Sequence, residues 1–435
     1  MSKPKSVFLS AISGNILEYY DFTVYSVFSL VIGHTFFPSS SKFLQILLAL
    51  GVFAVGFITR PIGGIFFGYV GDKYGRRIAL IISMLGMTIP TFTMGLIPSY
   101  HDIGVYAPII LIIMRLFQGL CISGEGAGAA IFILEHHQNL RPGFTAGLVH
   151  GSNMAGTLIA TLVGIIIEQY FYHFDFAWRF AFLLGGAMGL VGFYLRLRVS
   201  ETPIFKMLAE QKKTLKAPFI NVIKTAWKAM FLTFCTGAVA SSVVYLVKTY
   251  IIVYYHDVMH LDNTIALTYL DNTIALTYML YANFISMVSM PLFGGLTDII
   301  GKFKTLALVS LAILILALPI LLSMSLPFIW QQILALTILG ILSGAIAGAA
   351  YSFIISLFTP EQKFSGVSFS YNLGIAIFGG TSPLISRWLV EKTGLFYAPA
   401  FYIMTTSSIF LVIIYFMRNE IRCLLSRNSF KTRKR

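Results

Sequence analysis

Two apolar stretches of this chain carry polar residues at spacings that could do chemistry. Within residues 7–34, Asn15, Glu18 and Asp21 recur at i, i+3 and i+6, with Tyr25 four positions further on. On a helix these residues lie along one side. Within residues 106–134, Arg115 precedes Gln118 by three and Glu125 follows it by seven, near one stripe. A charge at mid-membrane costs about 2.5–3.5 kcal/mol on insertion scales, which favours a use for it. A carboxyl group can be neutral in one state and charged in another, and that is the chemistry of ion coupling. Glu18, Asp21 or Glu125 would carry the proton, with Arg115 as the counter-charge that favours the ionised form. The plainer alternative is a static buried ion pair that moves no proton.

Other candidates have two readings each. Arg60, deep in a second apolar run, could grip a carboxylate with its guanidinium fork, or it could pair with Glu18 or Asp21. Lys248, three residues after Tyr245, could hold an anionic group or extend its ammonium toward water. His150, beside Gly147 and Gly151, is either a proton relay or a histidine bonded within its bundle. Tyr371 and Asn372 could meet a substrate from the second half of the chain, or simply pack. Enzyme readings find no support. Gly301-Lys302-Phe303 lacks the earlier glycine and the following Ser/Thr of a phosphate loop, no HExxH occurs, and His136-His137 has no third ligand nearby. Cys121, Cys235 and Cys423 show no disulfide or metal spacing. The expectation is a non-enzyme without cofactor or metal, driven by an ion gradient.

The elements that must position these residues are membrane spans. The 435 residues are 57% hydrophobic and 11% charged, with a mean hydropathy of +0.82, well outside the soluble range. Twelve apolar runs of spanning length lie at about 7–34, 43–70, 78–98, 106–134, 144–170, 177–198, 226–255, 272–300, 303–325, 327–358, 364–390 and 396–417. With twelve spans, the termini and every even-to-odd connection share one side, and those segments hold 24 of the 31 Lys and Arg residues. The positive-inside rule therefore puts both termini in the cytoplasm. It also accounts for the net charge of +14 without nucleic acid; the basic residues 418–435 could in addition touch anionic head groups. The N-terminal apolar run is too long for a cleaved signal peptide and reads as the first span.

The loop after the second run, Gly68-Tyr-Val-Gly-Asp72-Lys73-Tyr-Gly75-Arg76-Arg77, has a degenerate copy from Gly294 through Asp298 and Gly301 to Lys304. The offset is 226 positions. One copy per half means a duplicated membrane protein, with a substrate path at the interface of the halves. Gly68 would let two helices approach closely. Asp72 would end its span where helix N-termini and cations are available. The alternative is plain topology, a tight loop at Gly75 flanked by inside arginines. A second, smaller repeat, residues 261–269 copied without change as 270–278, should lengthen an outer loop or the start of the eighth span; it reads as a slippage duplication.

These loops resemble the signature of the major facilitator superfamily, and Arg115-Leu-Phe-Gln118-Gly119 resembles its fourth-span element. The segments Gly14 to Phe22, Arg60 to Gly64, Gly124-Glu125, Trp178-Arg179, Glu201 to Phe205, Tyr371 to Gly374 and Phe378 to Pro383 resemble the superfamily's metabolite:proton symporters. Gly95 to Tyr100, Ala107-Pro108 and Glu125 to Gly128 look most like the proline/betaine transporters. The resemblance implies an all-α membrane protein of twelve transmembrane helices in two pseudo-symmetric six-helix bundles. Residues 1–198 and 226–417 would be the bundles, 199–225 a cytoplasmic linker with a surface-lying amphipathic helix between Lys206 and Lys216, and 418–435 a basic tail. It implies a gate built from Gly68, Asp72, Arg76, Arg77, Arg141 and Asp298. The expected activity is import of a proline- or betaine-like zwitterion by proton symport across a bacterial inner membrane, with no nucleic acid and no obligate protein partner. Substrate contacts fall to Asn15, Tyr25, Arg60, Gln118, Lys248, Tyr371 and Asn372. The alternatives are 2-oxoglutarate or another organic acid as substrate, or a uniporter or exchanger without proton coupling.

Overall fold

The computed structural model describes residues 4–38, 48, 51–53, 55–136, 141–171, 173–174, 176–212, 215, 217–255 and 268–433. Every regular element among them is helical. The helices are α1 (Pro4–Val27), α2 (Ser29–Phe36), α3 (Gly51–Lys73), α4 (Arg76–Leu96), α5 (Tyr106–His136), α6 (Pro142–Tyr170) and α7 (Ala177–Leu197). A short α8 (Pro203–Glu210) precedes α9 (Pro218–Val253), α10 (Thr268–Ile300), α11 (Lys302–Met324), α12 (Ile329–Ser356), α13 (Lys363–Thr393), α14 (Pro399–Phe416) and α15 (Arg418–Arg433). Eleven of these are long and apolar enough to cross a membrane. The twelfth membrane-length element is α1, whose hydropathy is lowered by Asn15, Glu18 and Asp21. It breaks at Phe28 and continues as α2, so the first span is two helices, not one.

The first six spans form one bundle and the last six the other. They meet along two seams, α6 against α10 and α3 against α13. Glycine makes both seams possible. A Cβ on Gly147 or Gly294 would collide with the facing backbone of the other half, and one on Gly68 would stand 2.7 Å from Ser365 Cα. Glycines 75 and 301, one in each signature loop, have φ of +124° and +96°, a region that L side chains avoid.

Two expectations need correction. The linker helix ends at Glu210, because Gln211 and Lys212 turn the chain and Lys212 takes φ +53°. Its apolar residues Ile204, Phe205 and Leu208 are buried against the protein, so it docks on the bundle and not on lipid. The seventh span begins eight residues early, at Pro218, but carries a non-helical residue at Ala226 (φ −133°, ψ 24°), where the apolar run starts. The first copy of the nine-residue duplication lies mostly outside the described residues. The second, 270–278, falls within α10.

Candidate functional site

The polar stripe of α1 faces the interior of the first bundle. Asn15 Nδ2 donates to the Val149 carbonyl of α6 at 3.1 Å. Thr91 donates to Asp21 Oδ2 (2.9 Å) and accepts from Gln118 Nε2 (2.6 Å), while Arg115 Nη1 donates to Gln118 Oε1 (2.6 Å). Arg115 therefore reaches Asp21 through two intermediaries, not by direct contact. Its guanidinium lies 3.9 Å from the Tyr25 ring centroid and 5.2 Å from that of Phe22. Glu125 takes a different cation from the one expected: Arg196, in the last turn of α7, pairs with its Oε1, and Ser83 donates to its Oε2 at 3.1 Å. Close packing around Gly14 allows this, since a Cβ there would strike Arg196.

Glu18, Asp21 and Glu125 all line one cavity in this bundle, walled also by Gly14, Thr88 and Gly189. The centre of a water-sized sphere has about 10 Å³ there, room for about one water. A second cavity of the same size lies where the halves meet, lined by Glu18, Tyr19 and Arg60 from the first half and Tyr351, Tyr371 and Asn372 from the second. Among the described residues, Glu18 alone lines both.

The second cavity holds polar groups that the described residues leave unsatisfied. Arg60 Nη1 donates to the Tyr245 hydroxyl at 3.3 Å, and the guanidinium lies 4.3 Å from the Phe57 ring centroid. Arg60 Nε and Nη2, and Glu18 Oε2, are buried without a hydrogen-bond partner among the described residues. Leaving such groups unpaired is costly unless something visits them. Asn372 Nδ2 is committed to the Ser368 and Ser123 carbonyls (2.7 and 3.2 Å). Tyr351 packs edge-on to Tyr371 (5.3 Å) and stacks on His150 (4.1 Å), whose Nδ1 donates to the Ala347 carbonyl at 2.8 Å. Lys248 sits in a π-helical turn, Leu246–Tyr250, and places Nζ 3.7 Å from the Tyr19 ring centroid. A second π turn, Ile375–Gly379, follows Tyr371 and Asn372 in α13. Gly379 lets it pack on Tyr245 and Ser241, and Ser382 Oγ bonds to the Ser242 carbonyl at 3.0 Å. Such turns recur at functional sites because they re-aim side chains.

The two signature loops lie at one end of the molecule and reach across to the opposite half. Asp72 accepts the backbone N–H groups of Phe364 (3.2 Å) and Ser365 (2.8 Å), in the first turn of α13. Asp298 accepts those of Gly143 (2.8 Å) and Phe144 (3.0 Å), in the first turn of α6. Each carboxylate thus sits at the positive end of a helix dipole in the other bundle. Around Asp72 the contacts continue. Arg76 pairs with it at 3.4 Å and donates to the Pro360 carbonyl at 2.6 Å, and its Nε meets Glu135 Oε2 at 3.3 Å. Glu135 also accepts from Thr202, the N-cap of α8, at 2.8 Å and lies 4.0 Å from Lys363. Arg77 bonds to Glu201 through its N–H and to the Leu197 carbonyl through its side chain, while Arg141 is exposed as the N-cap residue of α6.

The structure gathers Glu18, Arg60, Tyr371 and Asn372 at one cavity and Glu18, Asp21 and Glu125 at another. Asn15, Tyr25, Arg115 and Gln118 line neither, nor does Lys248, whose link to the second is Tyr19. Sequence reasoning missed Arg196 and Glu135, which read as charges flanking a span. It also missed Tyr19, Tyr245 and Tyr351, which do not stand out among 22 tyrosines. Only their facing partners single them out.

A twelve-span, two-bundle fold with paired loops and buried charge at the seam defines a membrane carrier of the major facilitator type. Residues 11–377 match the Major Facilitator Superfamily, and the chain belongs to that family. It is 33% identical over 429 residues to the glycine betaine/proline/ectoine/pipecolic acid transporter OusA of Dickeya dadantii, covering 94% of this chain and 82% of that one. It is 30% identical over 430 residues to the proline/betaine transporter of Escherichia coli, with 94% and 82% covered. In structure it is similar to the proton:xylose symporter XylE bound to 6-bromo-6-deoxy-D-glucose, with a TM-score of 0.70, 16% identity and 95% of each chain covered. That likeness concerns the fold.

Proposed function

We propose that this protein is a secondary transporter that imports a proline- or betaine-like zwitterion together with protons across a bacterial inner membrane, both termini being cytoplasmic. The observation that carries the reading is the position of Glu18, which lines both the three-carboxyl cavity and the cavity between the halves. A proton held among Glu18, Asp21 and Glu125 would then change the charge that a substrate meets. The substrate cavity offers an unpaired carboxylate oxygen and an unpaired guanidinium edge within a wall of tyrosines. That combination suits a molecule bearing both a cationic nitrogen and a carboxylate. The names of the relatives support the same substrate class.

In this reading residues 1–198 and 226–417 rock about the site, 199–225 link them, and 418–435 form a tail. Asp72, Arg76 and Asp298 hold the cytoplasmic end shut, Gly68 allows the approach, and Arg77 and Arg141 shape the loops. With room for about one water, the site must widen to admit a metabolite. An organic-acid substrate would use Arg60 but leave Glu18 without a partner, so the zwitterion is preferred.

The test is uptake into proteoliposomes under an imposed inward proton gradient, with labelled proline, glycine betaine and 2-oxoglutarate compared side by side. Gradient-dependent accumulation of a zwitterion is expected. Accumulation of 2-oxoglutarate alone would replace the substrate, and equilibration without accumulation would remove the proton coupling.

A further inference from the structure

The zwitterion reading leaves Lys248 unexplained, and the following rests on that reading. An ammonium group usually goes to water or to a carboxylate. Lys248 instead comes from a π turn of the second half and lies face-on to Tyr19, 3.7 Å from its centroid. It is 7% exposed. Tyr19 and its neighbour Glu18 belong to the substrate cavity, and Glu18 Oε2 is unpaired there. Arg60 has its Nη1 tied to Tyr245 and its face on Phe57, which leaves the Nε–Nη2 edge as the bidentate donor.

We propose that the Tyr19 ring, with Glu18 beside it, is the seat for the substrate's cationic nitrogen, and that Lys248 occupies this seat with its own ammonium until substrate displaces it, the substrate carboxylate going to the free edge of Arg60. Lys248 is then a tethered competitor and not a carboxylate anchor. It keeps a buried aromatic–anion site compensated between transport events. Its displacement would be felt in the π turn that carries it, Leu246–Tyr250.

The two roles for Lys248 predict opposite signs. The experiment measures equilibrium binding of glycine betaine, and of tetramethylammonium as a cation without a carboxylate, to the purified full chain in nanodiscs. Lys248→Met should bind both probes about tenfold more tightly, the scale of one desolvated cation–π contact. Lys248→Arg, which keeps a competing cation, should bind neither more tightly than wild type. Arg60→Gln should weaken glycine betaine by more than about tenfold and leave tetramethylammonium within about twofold. Weaker glycine betaine binding by Lys248→Met with tetramethylammonium unchanged would make Lys248 a carboxylate anchor and overturn the proposal, as would no change for either probe. Should Lys248→Met fail to fold, Tyr19→Leu decides. A loss of about tenfold for tetramethylammonium is expected, and unchanged binding overturns the seat. If wild type does not bind glycine betaine, the substrate reading itself falls; if it does and the variants shift with the wrong signs, only this inference does.

Discussion

The two halves of the molecule share a backbone plan but not a chemistry. Gly68 and Gly294 both press helix against helix, Gly75 and Gly301 both take positive φ, and Asp72 and Asp298 both accept two N–H groups from the other bundle. Yet among the described residues nine of the ten buried Asp, Glu, Lys and Arg side chains belong to the first half, and Lys248 alone to the second. The second half contributes Tyr245, Tyr351, Tyr371 and Asn372 together with both π turns. The two halves share the parts through which the bundles meet. The buried charges lie almost all on one side of the seam, and aromatic rings from both halves close around them.

The largest effect should come from the residue shared by both cavities. Glu18→Gln keeps shape but removes both the titration and the anion beside the substrate's cationic nitrogen, so gradient-driven accumulation in proteoliposomes should fall by about a hundredfold, the scale of general acid–base contributions, while exchange of labelled for unlabelled substrate continues at saturating substrate. Retained accumulation would move the coupling to Asp21 or Glu125. Loss of exchange as well would make Glu18 a binding group and nothing more.

The next comparison sets the two loop carboxylates against each other. Asp72 is buried and backed by Arg76 and Glu135, whereas Asp298 is half-buried. Hydrogen bonds to a buried charge are worth about 1.5–3 kcal/mol, and a charge at an exposed helix N-terminus about 0.3–1. Asp72→Asn should therefore shift the open population at this end by tenfold or more, and Asp298→Asn by about two- to fivefold. Modification of a single cysteine introduced at Ser368, which is buried between the halves, reports that population. Equal shifts would mean that the network around Asp72 adds nothing to its hydrogen bonds.

Much of this was legible in the sequence, and the reason for the rest is physical. Twelve spans, the paired loops and the polar stripe of α1 are local patterns, and hydropathy and spacing report them directly. Pairings between helices are not local. Glu125 and Arg196 are 71 positions apart, and Arg196 looks from sequence like any basic residue at a span's end. Tyr351 and Tyr245 are ordinary until the fold sets one against His150 and the other against Arg60. The break at Phe28 and the π turns carry no composition signal of their own.

A smaller pair of effects tests the shared backbone plan. A Cβ on Gly68 meets Ser365 Cα at 2.7 Å, and one on Gly294 meets Gly147 Cα at 3.0 Å. Overpacking of this kind costs about 1–3 kcal/mol. Gly68→Ala and Gly294→Ala should therefore open the same end to a similar degree, in the same cysteine assay, although the aspartates four residues on differ. Unequal effects would show that the seams, and not only the charges, have diverged.

The smallest effect should come from the ion pair within the second half that the described residues show. Lys228 Nζ and Glu420 Oε1 lie 2.6 Å apart, with side chains 41% and 47% exposed, and join α9 to α15. An exposed pair of this kind contributes about 0.2–1 kcal/mol and weakens with salt. Lys228→Ala should lower the thermal midpoint of the purified protein only slightly, and by less at high salt. Arg196→Ala should lower it far more, because it strands the Glu125 charge in the interior, a loss of about 3–5 kcal/mol. The contrast follows from solvent: the same chemistry is screened at the surface of one half and unscreened in the core of the other. A Lys228→Ala loss as large as that of Arg196→Ala would mean that α15 is held mainly by this pair, and that the buried contact of Ile421 does little to dock it.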